Sequence, residues 1–247
     1  MYQYLIGTGI MAVFWLIFLA ARRDLWRAML WSGRYYIVLL SFGFIVYRLI
    51  THDVARTITP GYWTPPTLFD LGRLTGGYAI EDALFMFFIA GWAAALYKLC
   101  FNKKSGGRRN AHLKNRHTLK IGLLVALVVF LIFPLNALYL LIISSTAAAV
   151  GIMWQRPDLI RQGLWGGLLT MATYALFMLI FITLFPHFYS TYYHLHDTTH
   201  VMIFNKFPLE EYLYALSFGL WASNFYEYKN QLTLEDRSKL SKKSISS

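Results

Sequence analysis

Two pairs of adjacent acids carry the chemical potential of this sequence. Glu81 and Asp82 end the stretch AIED (Ala79–Asp82), and Glu210 and Glu211 end PLEE (Pro208–Glu211). Each pair opens an apolar run, ALFMFFIAGWAAALY after the first and YLYALSFGLWA after the second. Ionisable groups within such runs are costly in lipid and mark functional sites. The competing reading is ordinary helix-start chemistry, in which proline and acids in a first turn satisfy free amides and suit the helix dipole. Phe85 follows Glu81 by four residues and Tyr214 follows Glu210 by four, a spacing that sets acid and ring on one helix face. Two close carboxyls at an apolar, aromatic pocket can hold one protonated acid beside one carboxylate, a general acid with its base. The ring faces can stabilise a passing cation.

The rest of the chain is built to hold those acids in a bilayer. Of 247 residues, 57% are hydrophobic and 14% charged, and the mean hydropathy is +0.45. A bundle of spanning helices needs so much apolar surface; a water-soluble domain does not. Seven stretches approach the roughly 20 apolar residues that a spanning helix requires: 2–21, 28–50, 77–98, 119–134, 136–154, 160–185 and 207–226. The net charge of +11 follows topology. Only Arg48, Arg56, Arg73 and Lys206 fall on one side of the seven crossings, leaving 19 of 23 basic residues on the other. The positive-inside rule then puts the N-terminus outside and the C-terminus in the cytoplasm. A nucleic-acid partner is not expected, and the bilayer is the main one. The first helix lacks a basic leader and a small-residue cleavage site, so it reads as a span, not a cleaved signal. The single cysteine, Cys100, forms no intrachain disulfide.

The acid pairs belong to a repeat. ARRDLWRAMLWSG from Ala21 and WQRPDLIRQGLWGG from Trp154 align at an offset of 134, matching Arg22 to Arg156, Asp24 to Asp158 and Gly33 to Gly167. At an offset of 129, Glu81 matches Glu210, Asp82 matches Glu211, and Trp92 matches Trp221. The expected fold is all-α integral membrane: residues 1–101 and 135–228 form two parallel three-helix repeats. Residues 102–134 supply a basic loop and a linker helix that restores the orientation, and 229–247 form a polar cytoplasmic tail.

The matched stretches resemble the heterodimeric and fused lycopene cyclases of bacteria, archaea and fungi, in which each three-helix unit carries a Pro-x-Glu-Glu-like motif. PLEE fits that pattern; AIED departs from it, with Ala79 for proline and Asp82 for the second glutamate. Trp63, Gly72, Gly76 and Gly77 precede the first motif in a glycine-containing loop similar to the family's. The resemblance implies a carotenoid end-group cyclase in a bacterial or archaeal cytoplasmic membrane, converting lycopene to γ- or β-carotene. A carboxylic acid protonates the terminal double bond, the ring closes to a tertiary cation, and a base removes a proton. There is no net redox change and no cofactor is expected. Glu210 and Glu211 lead the catalytic candidates, followed by Glu81 and then Asp82. Phe85, Tyr214 and Pro208 are the substrate-binding candidates for a hydrophobic polyene.

Other readings of the same residues stand beside this one. The loop PHFYSTYYHLHDTTH offers His187, His194, His196 and His200 with Asp197, and His52-Asp53 lies in the matching loop. His194, His196 and His200 have usable metal spacing, which points to an oxygenase. A proton-coupled carrier also uses paired acids and repeats. An enzyme acting on another isoprenoid is the third alternative. A retinal protein is excluded by the absence of lysine from residues 207–226. Asp24 and Asp158 read as helix-start caps, the loop 102–117 as a solvated anchor near anionic lipid, and the tail from Gln231 as disordered. Trp92 and Trp221 lie about 16 Å along the helix from their glutamates at 1.5 Å per residue, and read as packing residues, not pocket walls.

Overall fold

The computed structural model describes residues 2–50, 57–108, 135–194, 198–203 and 207–237, with positions 122, 124, 125, 128, 129, 132 and 133. The chain is mostly helical. Six long helices organise it: α1 (Gln3–Ala21), α2 (Trp26–Ile50), α3 (Ile80–Cys100), α4 (Ala137–Gln155), α5 (Ile160–Leu184) and α6 (Leu209–Asn230). The first five are long and apolar enough to cross a membrane by length and composition. The sixth has 22 residues, but Glu210, Glu211, Glu227 and Lys229 hold down its hydropathy. The linker expected over 118–134 falls mostly outside the described residues, as do His52, Asp53, His196 and Asp197.

Local chemistry sets the helix starts. Asn136 caps α4 by accepting the Leu138 N–H at 3.0 Å, the usual service of an asparagine N-cap. At α3, Asp82 reaches back to accept the Ala79 N–H at 2.8 Å. Pro208 precedes α6 instead of opening it, and lies in a two-residue strand, β3 (Phe207–Pro208), paired with β2 (Met202–Ile203).

Helices α3 and α6 form the centre. They run side by side in one direction: the Tyr214 O–H meets the Met86 sulfur at 3.1 Å near their starts, and Lys98 meets Glu227 near their ends. Around them, α1, α2 and α5 pack on α3, while α4 and α5 pack on α6. Small residues bring α5 and α6 together, as they do between membrane helices generally. A Cβ on Gly219 would lie 2.6–2.9 Å from Thr170 and the Cα of Gly167. Gly219→Leu is therefore expected to cost about 1–3 kcal/mol, the usual penalty of overpacking, measured as a lower thermal midpoint of the detergent-solubilised protein. Trp92 is buried among Phe14, Phe18 and Phe177, a packing position as expected.

The end of the bundle opposite the acid pairs is polar and enclosed. Lys98 Nζ lies 2.6 Å from Glu227 Oε1, with both side chains fully buried. The Ser105 hydroxyl donates to the same oxygen at 2.6 Å, and Gln162 Nε2 donates to Oε2 at 3.0 Å. Asp24 and Asp158 are more than helix caps here. Asp24 takes both arms of the buried Arg22 fork at 2.8 and 2.9 Å, and Asp158 takes those of Arg156 at 2.8 and 2.6 Å. Each guanidinium then donates onward to backbone carbonyls, Arg22 to Lys98 and Lys103 and Arg156 to Leu232. Those carbonyls lead to a correction. The segment after Gln231, expected to be disordered, forms a strand: β4 (Leu232–Asp236) pairs antiparallel with β1 (Lys103–Arg108), and Lys103 meets Asp236 at 2.6 Å. The polar composition of the tail hid a strand whose partner lies more than a hundred residues away.

Candidate active site

Each acid pair splits between two environments. Neighbours on a helix point about 100° apart at 3.6 residues per turn, so the two members cannot share a view. Asp82 and Glu211 line a cavity of about 390 Å³, and Glu81 and Glu210 are not part of its wall. This volume sits at the small end of the ~300–1,000 Å³ usual for ligand pockets.

The two cavity-facing carboxyls are held by phenols. Asp82 Oδ1 accepts the Tyr4 O–H at 2.5 Å while Oδ2 keeps the Ala79 N–H. Glu211 Oε2 accepts the Tyr174 O–H at 2.5 Å, and Oε1 accepts the Tyr193 O–H at 3.2 Å. Tyr4 comes from α1, Tyr174 from α5 and Tyr193 from the loop after α5. Three separate elements thus fix two carboxyls, and each carboxyl keeps a face toward the cavity.

The leading glutamates hold loops. Glu81 Oε1 accepts the Leu68 N–H at 2.6 Å. Glu210 Oε1 accepts the Tyr139 O–H at 2.7 Å and both the N–H and the hydroxyl of Thr199 at 2.8 Å. Both side chains are about 1% exposed, and their Oε2 atoms have no hydrogen-bond partner among the described residues. Each glutamate thereby pins the loop that precedes its own helix.

The cavity walls are aromatic. Phe85 and Tyr214 both line it, each three residues after the acid that shares the cavity. Their expected pairing with Glu81 and Glu210, four residues back, is therefore replaced by pairing with Asp82 and Glu211. Phe85 meets Tyr174 edge-on at 6.2 Å. Trp221 also lines the cavity, which corrects its reading as a packing residue alone. Pro208 is buried but takes no part in the wall.

Two loop segments roof the site. The Thr64 N–H donates to the Tyr192 carbonyl at 2.8 Å, and the His194 N–H donates to the Tyr62 carbonyl at 3.0 Å. The Thr64 hydroxyl and His194 Nε2 stand 2.6 Å apart. This pairing carries Tyr62, Trp63 and Tyr193 into the cavity wall. His194 is thus part of the roof. His200 sits at φ +55° in the loop before β2, and His196 lies outside the described residues. No group of three or more potential metal ligands is assembled among the described residues.

Tyr4, Tyr174, Tyr193 and Tyr139 are not among the residues that the sequence singled out. Tyr174 carried a usable signal. A phenol fifteen residues into a 25-residue apolar helix has no water to bond, so it must find an internal acceptor.

With this geometry in view, comparison with known proteins is decisive. The family model for lycopene cyclase matches residues 2–100 and 136–229. The chain belongs to the lycopene cyclase family. No curated protein and no solved structure matches it. The lycopene cyclase match covers all four acids and five of the six long helices in full, and α6 but for its last residue. It makes the chain a membrane protein of carotenoid cyclisation. Tyr4, Tyr139, Tyr174 and Tyr193 also fall inside the matched segments.

Proposed function

We propose that the protein cyclises the linear end group of lycopene to give γ- or β-carotene, acting as an intramolecular lyase. The observation that carries this reading is the pair of carboxyls, Asp82 and Glu211, facing one aromatic cavity in a lycopene cyclase family member. One carboxylic acid gives its proton to the terminal double bond. The neighbouring double bond closes the ring onto the resulting tertiary cation. A carboxylate then takes a proton from the ring, leaving the composition of the substrate unchanged. The faces of Phe85, Tyr174 and Tyr214 supply negative potential to the cation in between, and the apolar walls keep water from capturing it.

In the same reading the chain makes seven crossings with the N-terminus outside and the C-terminus in the cytoplasm of a bacterial or archaeal cell. Its halves are parallel three-helix repeats. The match of 134 and 129 offsets in the sequence and the parallel course of α3 and α6 support this arrangement.

Tyr174 is the sharpest probe of how Glu211 is held. Tyr174→Phe keeps the ring and removes the donor at 2.5 Å. It is expected to slow cyclisation about 10- to 100-fold, the rate equivalent of ~1.5–3 kcal/mol for a hydrogen bond to a charged group. The comparison is initial rate against the wild type at equal membrane protein. The function itself is tested by expressing the protein in bacteria that accumulate lycopene and separating the pigments by chromatography. Conversion to γ- or β-carotene is expected. Unchanged lycopene in cells with membrane-inserted protein would overturn the reading and direct the search to another isoprenoid.

A further inference from the structure

The duplicated acids invite the idea of two catalytic centres, one per unit, suited to a substrate with two identical ends. The geometry points to one. We propose that Asp82 and Glu211 are the two halves of a single acid–base couple, so the protein cyclises one end group per binding event. This rests on the cyclase reading above.

Three observations carry it. First, the acids occupy matched places in the sequence, at the offset of 129, yet both line the same cavity. Second, the wall is built jointly: Tyr4, Tyr36 and Phe85 come from the first unit, and Tyr174, Tyr193 and Tyr214 from the second. The units interlock there, through the Tyr214 O–H on the Met86 sulfur and the Phe85–Tyr174 ring contact. Third, the other member of each pair is spent elsewhere, with Glu81 on the Leu68 amide and Glu210 on Thr199 and Tyr139. Neither unit therefore brings its own acid and its own base to the cavity. Each brings one carboxyl.

Ring closure needs both roles. A proton leaves one carboxyl for the terminal carbon–carbon double bond, a carbon–carbon bond forms as the ring closes, and a ring proton goes to the other carboxylate. After one turnover the first group is a carboxylate and the second a carboxylic acid. Before the next cycle the first group must regain a proton and the second lose one, with no net proton change and no outside oxidant or reductant. The two carboxyls on the wall of this one cavity can serve one end group at a time. The monocyclic product must therefore leave and return with its other end before a second ring can form.

The test is product analysis of Asp82→Asn and Glu211→Gln, each alone in the full chain, in lycopene-accumulating bacteria. A shared couple predicts that either change lowers monocyclic and bicyclic products together, by about 10²–10⁴-fold, the range for loss of a general acid or base. Two independent centres predict something different: either variant would still make the monocyclic product near the wild-type rate and lose only the bicyclic one. That outcome would overturn the proposal. Asp82→Glu, which restores the carboxyl, is expected to recover activity that Asp82→Asn lacks. If Asp82→Glu is as dead as Asp82→Asn while running as a monodisperse membrane protein in detergent, Asp82 is not half of the couple. A wild type that leaves lycopene untouched would instead defeat the cyclase reading, so the two failures are separable.

Discussion

Glu211→Gln is expected to abolish measurable cyclisation while Glu210→Gln leaves it largely intact, although the two residues are adjacent. Glu211 faces the cavity and is held there by Tyr174 and Tyr193. Its amide can neither give nor take a proton in the required way, so a loss of about 10²–10⁴-fold follows. Glu210 turns toward the loop and accepts three donors on one oxygen. Glutamine retains that acceptor oxygen, loses the charge that strengthens the bonds, and puts an NH2 where the buried Oε2 has no partner among the described residues. The change costs on the order of 1 kcal/mol, which keeps the rate within about tenfold. Rates of γ- and β-carotene formation at matched protein levels decide the matter. A Glu210→Gln protein as inactive as Glu211→Gln, yet inserted and monodisperse, would move the chemistry to the leading glutamates.

The second large effect concerns stability. Lys98→Met removes the partner of Glu227 and leaves a carboxylate fully buried with only Ser105 and Gln162 to satisfy it. Breaking a buried pair from one side typically costs about 3–5 kcal/mol, whereas replacing both members by apolar residues is often neutral. The double variant Lys98→Met/Glu227→Met is therefore expected to recover most of the stability that the single variant loses. Thermal unfolding in detergent reads both. A double variant no more stable than the single one would mean that the pair does not act as a unit.

How far the sequence alone carried depended on the range of the interaction. Helices were legible because apolar runs are local: the stretch expected at 136–154 is observed as Ala137–Gln155, and 160–185 as Ile160–Leu184. The acid pairs were legible for the same reason, being four-residue motifs. Which member of each pair faces the cavity was not, because residues three and four along a helix share its face. Phe85 could have partnered Glu81 or Asp82 on spacing alone, and only the packing of α3 against α5 and α6 separates them. The strand pairing of β1 with β4 and the roof contact between Thr64 and His194 join residues 124 to 133 positions apart. The alternation in LTLED (Leu232–Asp236) is too short, and its partner KKSGGR too polar, to announce the pairing.

Lys98 and Glu227 have one more property. They are separated by 129 residues, the same spacing that aligns Glu81 with Glu210, so under the proposed repeat they occupy matched positions. One half carries the cation there and the other the anion. A first half facing its own copy would bury lysine against lysine, and a second half facing its own copy would bury glutamate against glutamate. Either like-charge meeting in a dry interior is strongly unfavourable. Only the mixed pairing closes with its charge cancelled. At the far end of the bundle from the cavity, α3 and α6 are thus matched to each other by charge as well as by shape.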